Sequence, residues 1–380
     1  MLIPKPFSKG GLTMAKYLIV GADVHEDYVM TKWAVNQGAS HKNSFRMNEA
    51  GQQKMISSLK KTAGKAGAEQ IVFAYEACCL GFGLYDTLTE ASIKCHVLAP
   101  TKIERSRKQR RSKCDEKDAQ HILEILKGHL LAGNSLPEVW IPDHHTRQDR
   151  AIVRRRLELT KKCTRVKAQI RMVLKKERAT APKEAGKGWT KKFRQWLVEI
   201  CDINVGVLQY GHALLLESLL RELKSLEDEI MLQDENIKAL SQGQRYKEAC
   251  DRLCNMRGVG LVTAMVFLTE MGDMDRFSNR RQIGAYLGLN PSSHETGENS
   301  DRKGHITRQG SERVRKVLCQ AAWCRSSSDQ AYERIAAKHP KKKKLALVAV
   351  MRRTAIEMWH VARDAQQQKG CFAELSQTVT

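Results

Sequence analysis

KYLIVGADVHEDYVMTKWAV, residues 16–35, decides how the front of the chain folds. Apolar residues rise from Tyr17 to Val20, Gly21 opens a turn, and Tyr28 to Val35 resumes a β-prone pattern, so the stretch predicts strand, turn, strand. Beyond it, Asn48 to Lys65 predicts a helix with Met55, Ile56 and Leu59 on one face. QIVFAYEA (residues 70–77) reads as a compact apolar strand. The Gly81–Gly83 region leads into a helix carrying Leu84 and Leu88, and CHVLAP ends a further strand at Pro100. Strands alternating with helices predict an α/β domain from residue 15 to about residue 130.

The chain then changes character. Residues 146–178 are helix-forming and densely basic, with Arg154, Arg155 and Arg156 beside an apolar stripe of Val153, Leu157, Val166, Ile170 and Val173. After the breaker-rich APKEAGKGW, a second long pattern runs from Leu208 to Leu240. Its apolar residues Leu215, Leu219, Leu223, Leu226 and Ile230 recur at three- and four-residue spacing, as in a coiled coil or a long helical hairpin. Pairing of these helices between chains is the favoured expectation, which would space and dimerise the functional domains. Past Leu253, a Gly258–Gly260 turn precedes an apolar helix. Such a turn either joins two helices or points backbone N–H groups at a DNA phosphate. Lys341 to Lys344 with Arg352 and Arg353 add positive surface near the end.

Charge narrows the class. A formal net charge of +23 over 380 residues, from 65 Lys and Arg against 42 Asp and Glu, repels itself and invites a polyanionic partner. With no long apolar run to suit a bilayer, nucleic acid is the expected partner and a membrane is not. Eleven cysteines at irregular spacings predict reduced thiols in a cytoplasmic protein over a disulfide framework, and Cys250 and Cys254 lack the second pair that a zinc site needs.

In so basic a chain a few carboxylates stand out. Asp23 ends the first strand, Glu76 lies in a second, and Asp115 and Asp118 stand three apart where a helix start puts both on one face. Each alone reads equally as a helix cap or a surface charge. As a set they fit one cleft, and a basic arm of Lys102, Arg105, Arg107, Lys108, Arg110, Arg111 and Lys113 leads to the Asp pair. The arm would draw in phosphate while the carboxylates hold Mg²⁺, with Mn²⁺ as the substitute; hard divalent cations prefer oxygen ligands and bridge to phosphate.

Four segments carry a resemblance: VGADVHEDY (20–28), YEACCLGFGL (75–84), KCDEKDAQHI (113–122) and the long block from Gly258 to Trp323 that contains LGLNPSSHETGENS and HITRQGSERVRK. The sequence resembles the DEDD-type insertion-sequence transposases, the family that includes the bridge-RNA-guided recombinases. The resemblance implies an α/β chain with an RNase H-like (RuvC-like) domain, a long helical coiled-coil region and a mainly helical C-terminal transposase domain. The expected divisions are a leader over 1–14, the RuvC-like domain over 15–145, a helical linker and dimerisation region over 146–250, the transposase domain over 251–364 and a tail over 365–380. It further implies recombination of donor and target double-stranded DNA guided by a structured non-coding bridge RNA, by a dimer that assembles into a tetramer. The family tetrad falls on Asp23, Glu76, Asp115 and Asp118, as catalytic metal ligands.

The family also uses a serine nucleophile before a glycine in the segment after GLxP, and there this sequence departs. Thr296 precedes Gly297 and becomes the leading nucleophile, with Ser293, Ser292 and Ser300 as alternatives. Arg302, Lys303, Arg308, Arg313 and Arg315 are the candidate phosphate contacts around it. Two rivals stay open at this point: an RNase H-like or junction-resolving nuclease with no covalent intermediate, and a non-catalytic nucleic-acid-binding protein built on a decayed site.

Overall fold

The computed structural model describes residues 15–103, 114–186, 188–293 and 303–377. Its contacts divide the chain into two units, Met1–Ile141 and Pro142–Thr380.

In the first unit, strands β1 (Tyr17–Val24), β2 (Tyr28–Val35), β3 (His41–Arg46), β4 (Gln70–Glu76) and β5 (Lys94–Leu98) form one sheet in the order β3-β2-β1-β4-β5. The first three strands are antiparallel neighbours, while β1, β4 and β5 run parallel, so the sheet is mixed. Helix α1 (Glu49–Ala66) starts at the expected Asn48, whose side chain accepts from the Gly51 N–H, and α2 is Gly83–Glu90. Both helices bury their apolar faces on one side of the sheet, Met55, Ile56, Leu59, Leu84 and Leu88 meeting Leu18, Val20, Phe73 and Tyr75. On the other side Ile19, Val72, Ala74 and Leu98 pack against Ile122, Leu123 and Leu126 of α3 (Asp115–Ala132). Strand alternation therefore sorts β1 cleanly: Leu18, Val20 and Ala22 face α1 and α2, whereas Ile19, Gly21 and Asp23 face α3.

Gly21 is what lets α3 settle on that face. A Cβ built there would stand 2.3 Å from the Leu123 nitrogen and 2.5 Å from the Ala119 carbonyl oxygen, both helix backbone. Only a residue without a side chain admits so close a helix, which brings the start of α3 over the end of β1.

The second unit is helical apart from a short hairpin. Helix α4 (His144–Lys176), α5 (Lys191–Glu199) and α6 (Tyr210–Gln242) are followed by α7 (Lys247–Cys254), α8 (Leu261–Met271) and α9 (Arg280–Tyr286). Strands β6 (Pro291–Ser293) and β7 (Lys303–Ile306) then pair, and α10 (Glu312–Ser326), α11 (Gln330–Lys338) and α12 (Lys343–Gln377) complete it. The sequence reading favoured pairing of the two long helices between chains; in the structure they pair within one. Arg156 meets Asp234 at 2.8 Å, Lys167 meets Glu227 at 3.1 Å, and Glu177 accepts from the Gln209 N–H at 3.0 Å, the order of an antiparallel hairpin. Val166, Ile170 and Val173 are buried as expected, but α6 turns Ala213, Leu216, Leu219 and Leu223 inward and leaves Leu215 exposed. The physical reason for the hairpin is the intervening segment, where α5 adds Phe193, Trp196 and Leu197 to the shared core and allows the chain to double back.

The other end of α4 is fixed by charge. Glu270 near the end of α8 is buried, and Arg154 grips its carboxylate from two nitrogens at 2.6 and 3.0 Å. Burial alone would raise its pKa; Arg154, Arg150 and Arg313 hold it below the ordinary glutamate value instead. Arg150 donates to the Thr269 and Glu270 carbonyls, capping the negative end of α8. Glu270→Ala strands the Arg154 guanidinium while Arg150 keeps its carbonyl partners, so a loss of about 2–3 kcal/mol is expected, less than for a fully buried pair because of Arg154's exposure. Denaturant unfolding of the variant checks this; a loss near zero contradicts the assignment.

Candidate active site

Alternation carries three strands' polar residues to the α3 face. Asp23 stands at the end of β1, and Glu76 follows Tyr75, the strand partner of Ala22, so the two carboxylates end neighbouring parallel strands. From β2, Tyr28 and Lys32 reach the first turn of α3: the Tyr28 hydroxyl donates to Asp115 Oδ2 at 2.6 Å, and Lys32 meets Glu116 at 2.7 Å. Lys42 on β3 also holds Glu116 at 3.0 Å, and these two lysines pull its carboxyl down to about 2. Glu116 is thereby turned toward the lysines, while Asp115 turns toward β1.

His25, in the turn between β1 and β2, joins the two aspartates. Its Nε2 lies 3.2 Å from Asp23 Oδ2 and 3.3 Å from Asp115 Oδ1, and its ring stacks on Tyr28 with centroids 4.9 Å apart. Side-chain donor atoms of Asp23, His25 and Asp115 lie within 4.8 Å of one another, the one such group able to hold a metal ion among the described residues. Neither His25 nor Tyr28 was singled out from sequence. The available signal was spacing: His25 is two residues past Asp23, and Tyr28 opens a strand on the same face.

Electrostatics supports the same picture. Burial raises the Asp23 pKa; His25 lowers it, and the charges of Asp118 and Asp115 raise it again. Asp118 is thus close enough to act on Asp23, one turn along α3 from Asp115. A half-buried carboxylate pressed by two more is relieved by a cation, and an oxygen-rich set with one imidazole fits a divalent metal.

The remaining sequence candidates are placed as follows. Lys102 is exposed just past β5. Arg105, Arg107, Lys108, Arg110, Arg111, Lys113, Thr296, Ser300 and Arg302 lie outside the described residues. Ser292 and Ser293 are in β6, the Ser292 hydroxyl donating to the His305 carbonyl at 3.1 Å, and Lys303 opposes Ser293 from β7. Arg308 and Arg313 are exposed. Arg315 donates to the carbonyls of Leu287, Gln309 and Gly310 at 3.0–3.3 Å, so it clamps the loop that carries the hairpin. No helix among the described residues is long and apolar enough to cross a membrane.

Carboxylates brought together under a helix start, in a strongly basic chain, suit an enzyme that works on nucleic acid. Comparison with known proteins supplies the particular kind. Residues 20–178 match the family model described as "Transposase", of the DEDD type, and residues 250–336 match "Transposase IS116/IS110/IS902 family". The chain belongs to this family of insertion-sequence transposases, enzymes that cut and recombine DNA. It is similar to a putative transposase of Sinorhizobium fredii, 28% identical over 79% of this chain and 77% of that one. The transposase for insertion sequence element IS1533 of Leptospira borgpetersenii is 23% identical, with 82% and 86% covered. That for element IS1111A of Coxiella burnetii is 25% identical, with 83% and 80% covered.

Proposed function

We propose that this transposase moves its element by metal-dependent cleavage and exchange of DNA strands through a covalent hydroxyl-linked intermediate. The observation that carries the metal-dependent part is the meeting of Asp23 and Asp115 on the α3 face, with Asp118 acting on Asp23. The first unit, with its mixed five-stranded sheet between helices, is inferred to be an RNase H-like (RuvC-like) domain in which Asp23, Glu76, Asp115 and Asp118 hold Mg²⁺ or Mn²⁺. When bound, the cation stabilises charge on the phosphate oxygens. The protein's own groups keep the ligand oxygens in place: the Tyr28 hydroxyl on Asp115, His25 between the two aspartates, and the lysines drawing Glu116 aside.

The proposed covalent step is a transesterification. The Thr296 hydroxyl oxygen forms a bond to the scissile phosphorus, the bond from phosphorus to one deoxyribose oxygen breaks, and that oxygen takes up a proton as the threonine loses its own. A deoxyribose hydroxyl of the exchanged strand then reverses the reaction and frees the threonine. Guidance by a structured bridge RNA and assembly of a dimer into a tetramer belong to the same reading. The charge of +23 and the exposed Leu214, Leu215, Met231 and Leu232 of α6 support them.

Capture of the protein–DNA ester tests the covalent step. Wild-type chain incubated with element-end DNA and Mn²⁺ is expected to give an adduct stable to denaturant, and Thr296→Ala to give none. An adduct that persists in Thr296→Ala moves the nucleophile to Ser293, Ser292 or Ser300. Cleavage by wild type with no adduct replaces the recombinase mechanism with a hydrolytic one.

A further inference from the structure

Away from the carboxylates, the second unit contains a cavity of about 280 Å³ lined by Arg257, Arg325, Ser328, Asp329, Gln330 and Arg353. Four elements build it. Arg257 stands in the turn between α7 and α8, Arg325 ends α10, Asp329 caps α11, and Arg353 comes from α12. The turn is held against α10 at Gly258, whose φ is +79° and where a Cβ would lie 2.7 Å from the Ala321 carbonyl oxygen. Arg257 is thereby fixed beside Arg325.

The charges in this cavity do not balance. Arg353 pairs with the buried Asp329 and also approaches Glu357 at 3.4 Å, and Arg325 pairs with Glu357 at 2.6 Å. Three guanidiniums thus face two carboxylates. Arg257 is the one left over: its partners are the hydroxyls of Ser328 and Ser327, at 2.5 and 3.2 Å, with no carboxylate among the described residues. Arg325 lines the same cavity, and its Nη1 is buried without a hydrogen-bond partner, so a small shift of the side chain is needed before that donor meets a guest. A buried guanidinium nitrogen left unpaired costs free energy, and such donors call for an acceptor-rich guest.

We propose that this cavity is a binding site for a backbone phosphate of the DNA duplex, gripped by Arg257 and Arg325 and supported by the Ser327 and Ser328 hydroxyls. Phosphate oxygens match guanidinium donors in geometry and charge; the Ser328 hydroxyl, which donates to the Arg325 carbonyl at 3.3 Å, would exchange that long bond for one to the phosphate. The cavity is large enough to admit a phosphate together with its waters. Asp329 does not oppose the guest, since Arg353 and the Ala331 and Tyr332 N–H groups satisfy it. The assignment to DNA rests on the reading of the chain as a DNA recombinase.

Fluorescence anisotropy of a labelled random-sequence DNA duplex with the full chain tests it. Arg257→Ala is expected to weaken binding about tenfold at low salt and to reduce the slope of log affinity against log salt by about one, the signature of one lost phosphate contact. Ser328→Asp, which hands Arg257 a carboxylate while keeping the fold's charges paired, is expected to do the same. Arg221→Ala, on the exposed side of α6, serves as the control. Full affinity and slope in both cavity variants overturn the site. A loss seen with a single-stranded RNA probe but not with the duplex overturns the assignment to DNA. If the wild-type chain binds no duplex, the functional reading itself falls, an outcome distinct from failure of the cavity alone.

Discussion

Asp23→Asn is expected to abolish strand cleavage while making the metal-free protein more stable. The two effects share a cause. Asp23 is half-buried beside two other carboxylates, and burial with those charges raises its pKa. Between the ordinary aspartate value of about 4 and the raised one, the folded chain holds more proton than the unfolded chain. Stability without metal therefore falls as pH rises through that window, and ionised Asp23 works against folding above it. Asparagine keeps the shape and removes the charge. In EDTA at neutral pH the first unit of the variant should melt higher, by roughly 2–4 °C for each kcal/mol of strain relieved, and its pH dependence should flatten. Cleavage in Mg²⁺ should fall by at least about a hundred- to a thousandfold, the scale of losing one stabiliser of transition-state charge. A variant that melts lower than wild type in EDTA contradicts the electrostatic account; one that still cleaves removes Asp23 from the chemistry.

Gly21→Ala is the second large effect, and it acts through packing. The added methyl would meet the Leu123 nitrogen and the Ala119 carbonyl, neither of which can rotate aside. The helix must retreat from β1, carrying Asp115 and Asp118 away from Asp23. Overpacking of this kind costs about 1–3 kcal/mol, and a misplacement near 1 Å costs about a hundredfold in rate. Gly64→Ala makes the comparison, because it lies in α1 with nothing within 4 Å of the new atom. That change is expected to stabilise by about 0.5–1 kcal/mol through helix propensity. Denaturant unfolding of the pair with a cleavage assay decides the matter. Equal stability and activity in Gly21→Ala and wild type would remove the close approach from the account.

Much of the first unit was legible because its elements announce themselves in apolar patterning. The apolar run from Tyr17 gave the start of β1 and the pattern from Tyr28 gave β2, but Gly21 opens no turn and lies inside β1, paired with Lys32 and Ala74. Met55, Ile56 and Leu59 gave α1 within a residue of its limits. Strand β3 was missed because HKNSFR is an exposed edge with no apolar alternation; its pairing with β2 defines it. Helix α5 was missed for a similar reason: only Phe193, Trp196 and Leu197 mark its buried face within nine residues. On α6 the inward residue proved to be Leu216 and not Leu215, since three- and four-residue steps fit both until a partner helix selects one.

The carboxylates were legible for a different reason. In a chain this basic, acids at strand ends and at a helix start are conspicuous; that Asp23 and Glu76 share the α3 face follows from the sheet, where Ile19, Val72 and Ala74 pack on that side. The supporting residues were not legible, because they act only through three-dimensional proximity. His25 in the hairpin turn and Tyr28 at the start of β2 reach Asp115, 87 residues further on from Tyr28. The pairing of Arg154 with Glu270 spans 116 residues, so a run of arginines that reads as phosphate-seeking surface is partly internal scaffolding.

The central claim is that the first unit's carboxylates hold the cation on which strand cleavage depends. Electron paramagnetic resonance of Mn²⁺ titrated into the full chain, alongside cleavage in the same buffer, tests it most directly. Wild type is expected to remove Mn²⁺ from the free-ion signal, and Asp118→Asn to lose that binding and cleavage together. Asp118→Asn that binds Mn²⁺ and cleaves like wild type would contradict the account.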